Sequence, residues 1–413
     1  MRPFLSLLAA VGLSLCLLAA PRASAQPSGL DALLAAPDTL SDAALVSLLT
    51  MVPGDEIYSL FGHSAIRIAD PARGLDETYN YGTFDFNQPL FVLRFMGGSL
   101  EYVLDSAPYE AEVWKYQTLQ RPIIEQRLDV TPGTAQALYD ILRENIRPEN
   151  RGYRYDFFWD NCSTRLLDVL DSALVASGEA PRGLVLPADA APTTYRELLA
   201  PYLVATPATD LGIALALGPP TDAVASPREQ AFLPLELMRQ LDAATVDGRA
   251  LVARRDTVFW VEDAGLPEPV FPWPVALAWG LLVLVVASTV WSRLSLRPDS
   301  VMTTGRRLDV ALFLVVGFAG TVLFLLGAAT AHTVTRFNVE LLWLWPPHLL
   351  AAFSLRRTLR RPWAIYWGAA SVVTLGAVLG GALLPESLHP AAVPLALLVA
   401  FRAGARSFGP RRS

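Results

Sequence analysis

Cysteine and histidine are scarce in this chain. Its 413 residues hold two cysteines and four histidines. There is no Cys-x-x-Cys, no His-x-x-x-His, no phosphate-cradling glycine loop and no Gly-x-Ser-x-Gly. A disulfide framework, a His-built metal centre, a nucleotide-binding loop and a serine-hydrolase elbow are thereby set aside. Basic runs are confined to the C-terminal loops and the net charge is −6, which excludes a nucleic-acid partner. Charge is thin as well: 17% of residues are charged and 53% hydrophobic, against about a quarter charged in a soluble domain. Part of the chain must lie in a membrane.

What is present begins with a leader. Arg2, an apolar stretch from Phe4 to Ala20 and the triplet Ala23-Ser24-Ala25 read as a signal peptide over 1–25, cut before Gln26, with an uncleaved anchor as the alternative. Cys16 leaves with it, so Cys162 is the one thiol of the mature chain. A lone thiol in an exported protein is either inert or central to the chemistry.

Residues 26–180 carry mixed patterns. Glu56–Asp70 and Glu77–Phe86 read as strands joined by a turn at "ADPARGLD", and "RPIIEQRLDV" reads as a third strand. A helix opens at Thr131-Pro132. Another opens at Asp160 or Asn161 and carries Leu166, Leu167, Val169, Leu170, Ala173 and Leu174 on one face, ending near Gly178. Residues 181–269, rich in proline and alanine, read as a peripheral subdomain and linker. From 270 to 413 the chain reads as an all-α membrane domain with about five helices, at 272–291, 308–331, 341–355, 363–384 and 389–401. The third is interrupted by Pro346-Pro347. Arginines crowd the first loop (Arg293, Arg297, Arg306, Arg307), the third (Arg356, Arg357, Arg360, Arg361) and the tail (Arg402, Arg406, Arg411, Arg412), whereas the second loop has only Arg336. By the positive-inside rule the chain is a multi-pass membrane protein with the Arg-rich loops and the C-terminus in the cytoplasm and the large N-terminal domain exported.

The exported domain has one histidine, His63, and one cysteine, Cys162, the simplest pair able to perform covalent catalysis. Cys162 falls at a helix start, where free N–H groups and the helix dipole favour a thiolate. Arg165 is one turn on. His63 follows Gly62 on a strand, and an imidazole there is able to take the thiol proton. Asn80, Tyr81 and Asp85 on the partner strand are the candidates to orient it. A buried cysteine that only packs, and a structural histidine, are the plainer readings. The aromatic run Tyr153, Tyr155, Phe157, Phe158 and Trp159 is core or the wall of an acyl-chain groove, and Asp168 and Asp171 a solvated face. His332, Asn338, Glu340 and His348 are interfacial residues or part of a site facing the exported domain.

Several phrases carry a resemblance. "FGHSAIRI", "YNYGTFDF", "PLFVLRFMGGSLEYVL", "RPIIEQRLDV" and "RPENRGYRYDFFWDNCSTR", with "HTVTRFNVELLWLWPPHLL" further on, resemble the Lnb family, its N-terminal part over about residues 40–175. Lnb proteins resemble Bacteroides-type lipoprotein N-acyltransferases. Their domain looks like circularly permuted papain-like enzymes of the lecithin:retinol acyltransferase group, in which a strand histidine precedes an Asn-Cys at a helix start. The resemblance implies an α+β, permuted papain-like exported domain with Cys162 as nucleophile and His63 as base. The second strand histidine of the acyltransferase group is missing here, so Asn80 or Tyr81 would take its place. Arg165, Asn161, Asn338 and His332 are the candidate substrate-binding residues.

The expected activity is transfer of an acyl chain from a membrane phospholipid, through a Cys162 thioester, to the N-terminal amine of a lipoprotein. No cofactor or metal is called for, since the ester is already an activated acyl group. A cell-envelope cysteine peptidase, amidase or lipase using the same pair is the runner-up. A non-catalytic, membrane-tethered assembly or binding factor is the third reading.

Overall fold

The computed structural model describes residues 37–408 apart from 85–87, 91–93, 95–96, 188–190, 263, 295–297, 357–360 and 382–387. The leader, Asp85 and Arg297, Arg357, Arg360, Arg411 and Arg412 lie outside the described residues.

Seven antiparallel strands form the central sheet of the N-terminal domain: β1 (Leu45–Met51), β2 (His63–Asp70), β3 (Leu75–Thr83), β4 (Glu101–Pro108), β5 (Ile123–Leu128), β6 (Gly152–Arg154) and β7 (Val252–Phe259), in the order β7-β5-β1-β2-β3-β4-β6. Alternation sorts their side chains. Leu48, Ile66 and Leu128 meet Leu166, Leu167 and Leu170 of α3 (Cys162–Ala176) and Leu237 and Leu241 of α6 (Pro234–Ala243) on one face. Leu49, Met51, Ala65 and Ile123 pack with Tyr116 of α1 (Tyr109–Thr118) on the other. The helix α2 (Pro132–Asn145) is capped by Thr131, with proline in its first turn.

Three expectations change. Strand β2 begins at His63, because Ile57–Ser59 forms a 3-10 turn and Gly62 adopts φ +84°. The segment 181–269 is no mere linker: its last strand, β7, completes the sheet beside β5, with Phe259 opposite Ile123. Helix α6 packs under the sheet, and α4 (Tyr195–Leu203) and α5 (Pro207–Ala216) form an aromatic-rich subdomain with Leu60 and Phe158. Third, residues 341–355 do not make one helix. Pro346-Pro347 divides them into the turns Val339–Leu342, His348–Ala351 and Ala352–Arg356.

The membrane part contains α7 (Trp273–Leu294), α8 (Pro298–Ala329), α9 (Arg361–Gly381) and α10 (Ala392–Ser407). Among the described residues, three helices are long and apolar enough to cross a membrane, with spans at Trp273–Ser292, Gly305–Ala329 and Arg361–Gly381. The broken segment packs on the backbone of α8. A Cβ at Gly320 would stand 1.7 Å from the Leu344 carbonyl oxygen, so only glycine admits this approach. Arg402 and Arg406, expected in the tail, lie on α10 and pair with buried Asp309 of α8, Arg402 in two bonds of 2.6 and 2.9 Å. They are internal ties between helices, since a charge at this depth needs a partner.

Candidate active site between β2 and β3

The ladder joining β2 to β3 stops at Ile66 opposite Tyr79. Beyond it the strands separate, and Gly82 turns away at φ +89°. Helix α3 starts in this opening. Asn161 caps it: its Oδ1 accepts from Ser163 N (2.8 Å) and Thr164 N (3.0 Å), and its Nδ2 donates to the carbonyls of Phe157 (2.7 Å) and Phe232 (2.8 Å). Ser163 Oγ lies 3.1 Å from Ser64 Oγ and pins the first turn to β2.

The Cys162 thiol thus sits in the gap and accepts from the backbone N–H of Ser64, a group freed by the end of the ladder. Gly82 forms the facing wall, where an added Cβ would be 3.6 Å from Cys162 Cβ and 3.6 Å from the Tyr155 ring. His63 is bonded through its peptide to that same Ser64. Its Nε2 lies 3.0 Å from Asn80 Oδ1. An amide oxygen only accepts, so Nε2 carries the proton and Nδ1 keeps the lone pair.

The charge balance departs from the expectation of a helix-start thiolate. Burial pushes the Cys162 thiol up, against the N–H and hydroxyl groups of Ser64 and Ser163 that pull it down. Burial also lowers His63 to about 3, helped by the cations Lys115 and Arg121 and opposed by the Asn80 bond. Two desolvated groups therefore rest as thiol and neutral imidazole.

The other candidate residues separate. Tyr81 points to the opposite face of β3 from Asn80, and its hydroxyl accepts from Asn145 Nδ2 at 2.7 Å. It does not orient His63. Asn161 is spent on the cap and on two carbonyls, which makes it a positioning residue, not a ligand for substrate. Arg165 is bound by Asp160 (2.5 and 2.8 Å) and lies over the Tyr153 ring at 3.6 Å, so it walls the site. Asn338 is remote from the thiol. It holds the carbonyls of Leu215 and Ala216 (2.7 and 3.2 Å), joining the membrane part to α5. The His332 ring stands against Gly98, 3.1 Å from where a Cβ would be. Of the aromatic run, Phe157 and Phe158 are core with Phe232. Tyr155 stacks on Tyr102 at 4.3 Å and flanks Cys162. Asp168 and Asp171 pair with Arg228.

Sequence reasoning missed the Ser64 N–H, which a backbone group cannot announce, and Lys115, the one lysine of the chain. It missed Tyr153 as a donor too. The Tyr153 hydroxyl is buried, has no hydrogen-bond partner among the described residues and faces Gly82 at 3.9 Å from a Cβ position.

Comparison with known families matches residues 36–200 to the Lnb N-terminal periplasmic domain and residues 267–409 to the Lnb transmembrane domain. No curated protein and no solved structure matches the chain.

Proposed function

The chain belongs to the Lnb family, a periplasmic domain followed by a transmembrane domain, and from that premise we propose that it is a membrane-bound thiol acyltransferase of papain-like design. The observation that carries this reading is the opening between β2 and β3: the Ser64 N–H faces the Cys162 thiol there, and the preceding residue, His63, has its ring fixed by Asn80. A cysteine, a histidine and an asparagine in these roles form a thiol-acylation triad.

The reaction runs in two halves. His63 Nδ1 takes the thiol proton as Sγ attacks the ester carbonyl of a phospholipid. The oxyanion is met by the Cys162 N–H and the Tyr153 hydroxyl; the N–H groups of Ser163 and Thr164, natural donors by position, are already taken by Asn161, and that of Ser64 by the thiol. Collapse breaks the bond between the acyl carbon and the glyceryl oxygen, and the leaving alkoxide recovers the proton from His63 as a lysophospholipid. In the second half the terminal amine of a lipoprotein attacks the thioester. His63 removes its proton, the C–S bond breaks, and the thiolate is reprotonated, leaving an amide and free Cys162. The protein sits in the inner membrane with its C-terminus in the cytoplasm. Water in place of the amine gives the hydrolase reading.

Mass spectrometry tests the proposal. An acyl adduct on Cys162 and N-acylated lipoprotein termini that vanish with Cys162→Ala are expected. Unchanged lipoprotein termini with the adduct present would leave hydrolysis. Full function in both Cys162→Ala and His63→Ala would remove catalysis altogether.

A further inference from the structure

Between residues 37 and 262, four aromatic side chains among the described residues are more than 40% exposed: Tyr58, Trp114, Trp159 and Trp260. Three of them, Tyr58, Trp159 and Trp260, belong to one end of the sheet, and Trp114 lies midway along α1. Tyr58 is in the turn before β2, next to Ile57, which is 75% exposed. Trp260 follows the last residue of β7, and Phe259 pairs with Ile123, whose other neighbour Met51 faces His63. Trp159 precedes the Asn161 cap. Trp114 is on α1, which runs towards this end and is followed by exposed Leu119. The opposite end, at the turn Pro71–Gly74, shows no exposed aromatic side chain among those described, and the C-terminal end of α3 adds only aliphatic Val175. This crowded end is the one at which the β2–β3 opening and Cys162 lie.

The same end is tied to the membrane helices at two places. Arg154 at the end of β6 donates to the carbonyls of Gly98 (3.2 Å) and Ala331 (3.4 Å), and Ala331 N donates to Gly97 O, two residues past the end of α8. On the other side the Phe61 and Tyr202 rings pack at a tilt with centroids 5.6 Å apart, and Val204, just beyond, accepts from Val270 N, three residues before α7 begins at Trp273. The site lies between these ties. Tryptophan and tyrosine favour the membrane–water interface, where the ring is buried among acyl carbons and the polar edge stays wet.

We infer that this end of the periplasmic domain is seated in the interfacial zone of the periplasmic leaflet, with Ile57, Tyr58, Trp114, Leu119, Trp159 and Trp260 in lipid. The β2–β3 opening is then presented at the depth of the phospholipid ester bonds. The docking stands on geometry alone. Only its use, delivery of a lipid ester to Cys162, rests on the acyltransfer reading.

The test uses the full chain in phosphatidylethanolamine–phosphatidylglycerol vesicles, with Cys16→Ala and Cys162→Ala so that a single added thiol reports. Nitroxides are attached to Tyr58→Cys, Leu119→Cys and Trp260→Cys, and to Arg73→Cys in the opposite turn as the control. Collision with dissolved oxygen against a water-soluble nickel chelate should give a ratio several-fold higher at the three positions than at 73. Equal ratios at all four would overturn the inference, including the case in which a protein partner and not lipid covers the face. No turnover enters this measurement, so failure of the acyltransfer reading leaves it unaffected. In the catalytically intact chain, Tyr58→Asp with Leu119→Asp should then lower acyl transfer from vesicle phospholipid several-fold while a short-chain, water-soluble ester is used as before.

Discussion

A histidine whose Nε2 is committed to a carbonyl oxygen can act on a thiol only through Nδ1. Asn80 makes that commitment for His63, so its effect is on ring orientation and tautomer. On the acyltransfer reading His63→Ala should cost about 10²–10⁴-fold in acylation rate. Asn80→Ala should cost less and flatten the pH profile, and both are read by single-turnover trapping of the adduct. Burial holds the thiol above its ordinary value of 9.0. Alkylation of Cys162 by a small reagent should therefore still be rising with pH beyond 9.0, and a plateau near neutrality would contradict a neutral resting pair. Stability moves in the opposite part of the scale. The folded His63 titrates at about 3 and the unfolded ring at 6.5, so below 6.5 the unfolded chain binds the extra proton. Stability is intact above 6.5 and falls as the pH is lowered through that window towards about 3. Thermal melts of wild type against His63→Gln, which lacks this titration, check the sign.

Helix α3 is where local chemistry and tertiary contacts join. Its cap also binds two carbonyls from outside the helix, so Asn161→Ala should lower stability by about 2 kcal/mol, measured by denaturant titration. It should also slow acylation, since the first turn carries Cys162. Gly62→Ala should cost about 1–2 kcal/mol for the left-handed backbone alone, and its Cβ would stand 2.8 Å from Met51 O. Much of this element was legible: the Asn-Cys cap, the leucine face and the stop before Gly178 all follow from side-chain type and period. Asn80 and Tyr81 could not be separated from sequence, because adjacent strand residues face opposite sides and only the register with β2 decides which meets His63. The two-sided origin of the site was equally hidden. The thiol lies between strands because their ladder ends early, a property of pairing and not of any one residue. In the membrane part the helix at 341–355 failed where Pro346-Pro347 warned of it, and the glycines of α8 that accept the broken backbone look like ordinary membrane glycines until packed.

At the scale of the molecule, β7 reaches back across some 120 residues to shield β5. The exposed backbone of an unprotected strand is a template for aggregation. A chain ended at residue 200 should be insoluble, whereas one ended at 262 should remain monomeric in size-exclusion chromatography with the sheet intact. The two ties, Arg154 to Ala331 and Val204 to Val270, reach still further. On the acyltransfer reading, a domain fastened to its own membrane helices on both sides of the Cys162 opening samples only what diffuses laterally past it. Its kinetics would then be two-dimensional. Adding inert phospholipid to a fixed amount of substrate lipid in the same vesicles should slow the reaction, whereas adding more vesicles of unchanged composition, without the protein, should not speed it.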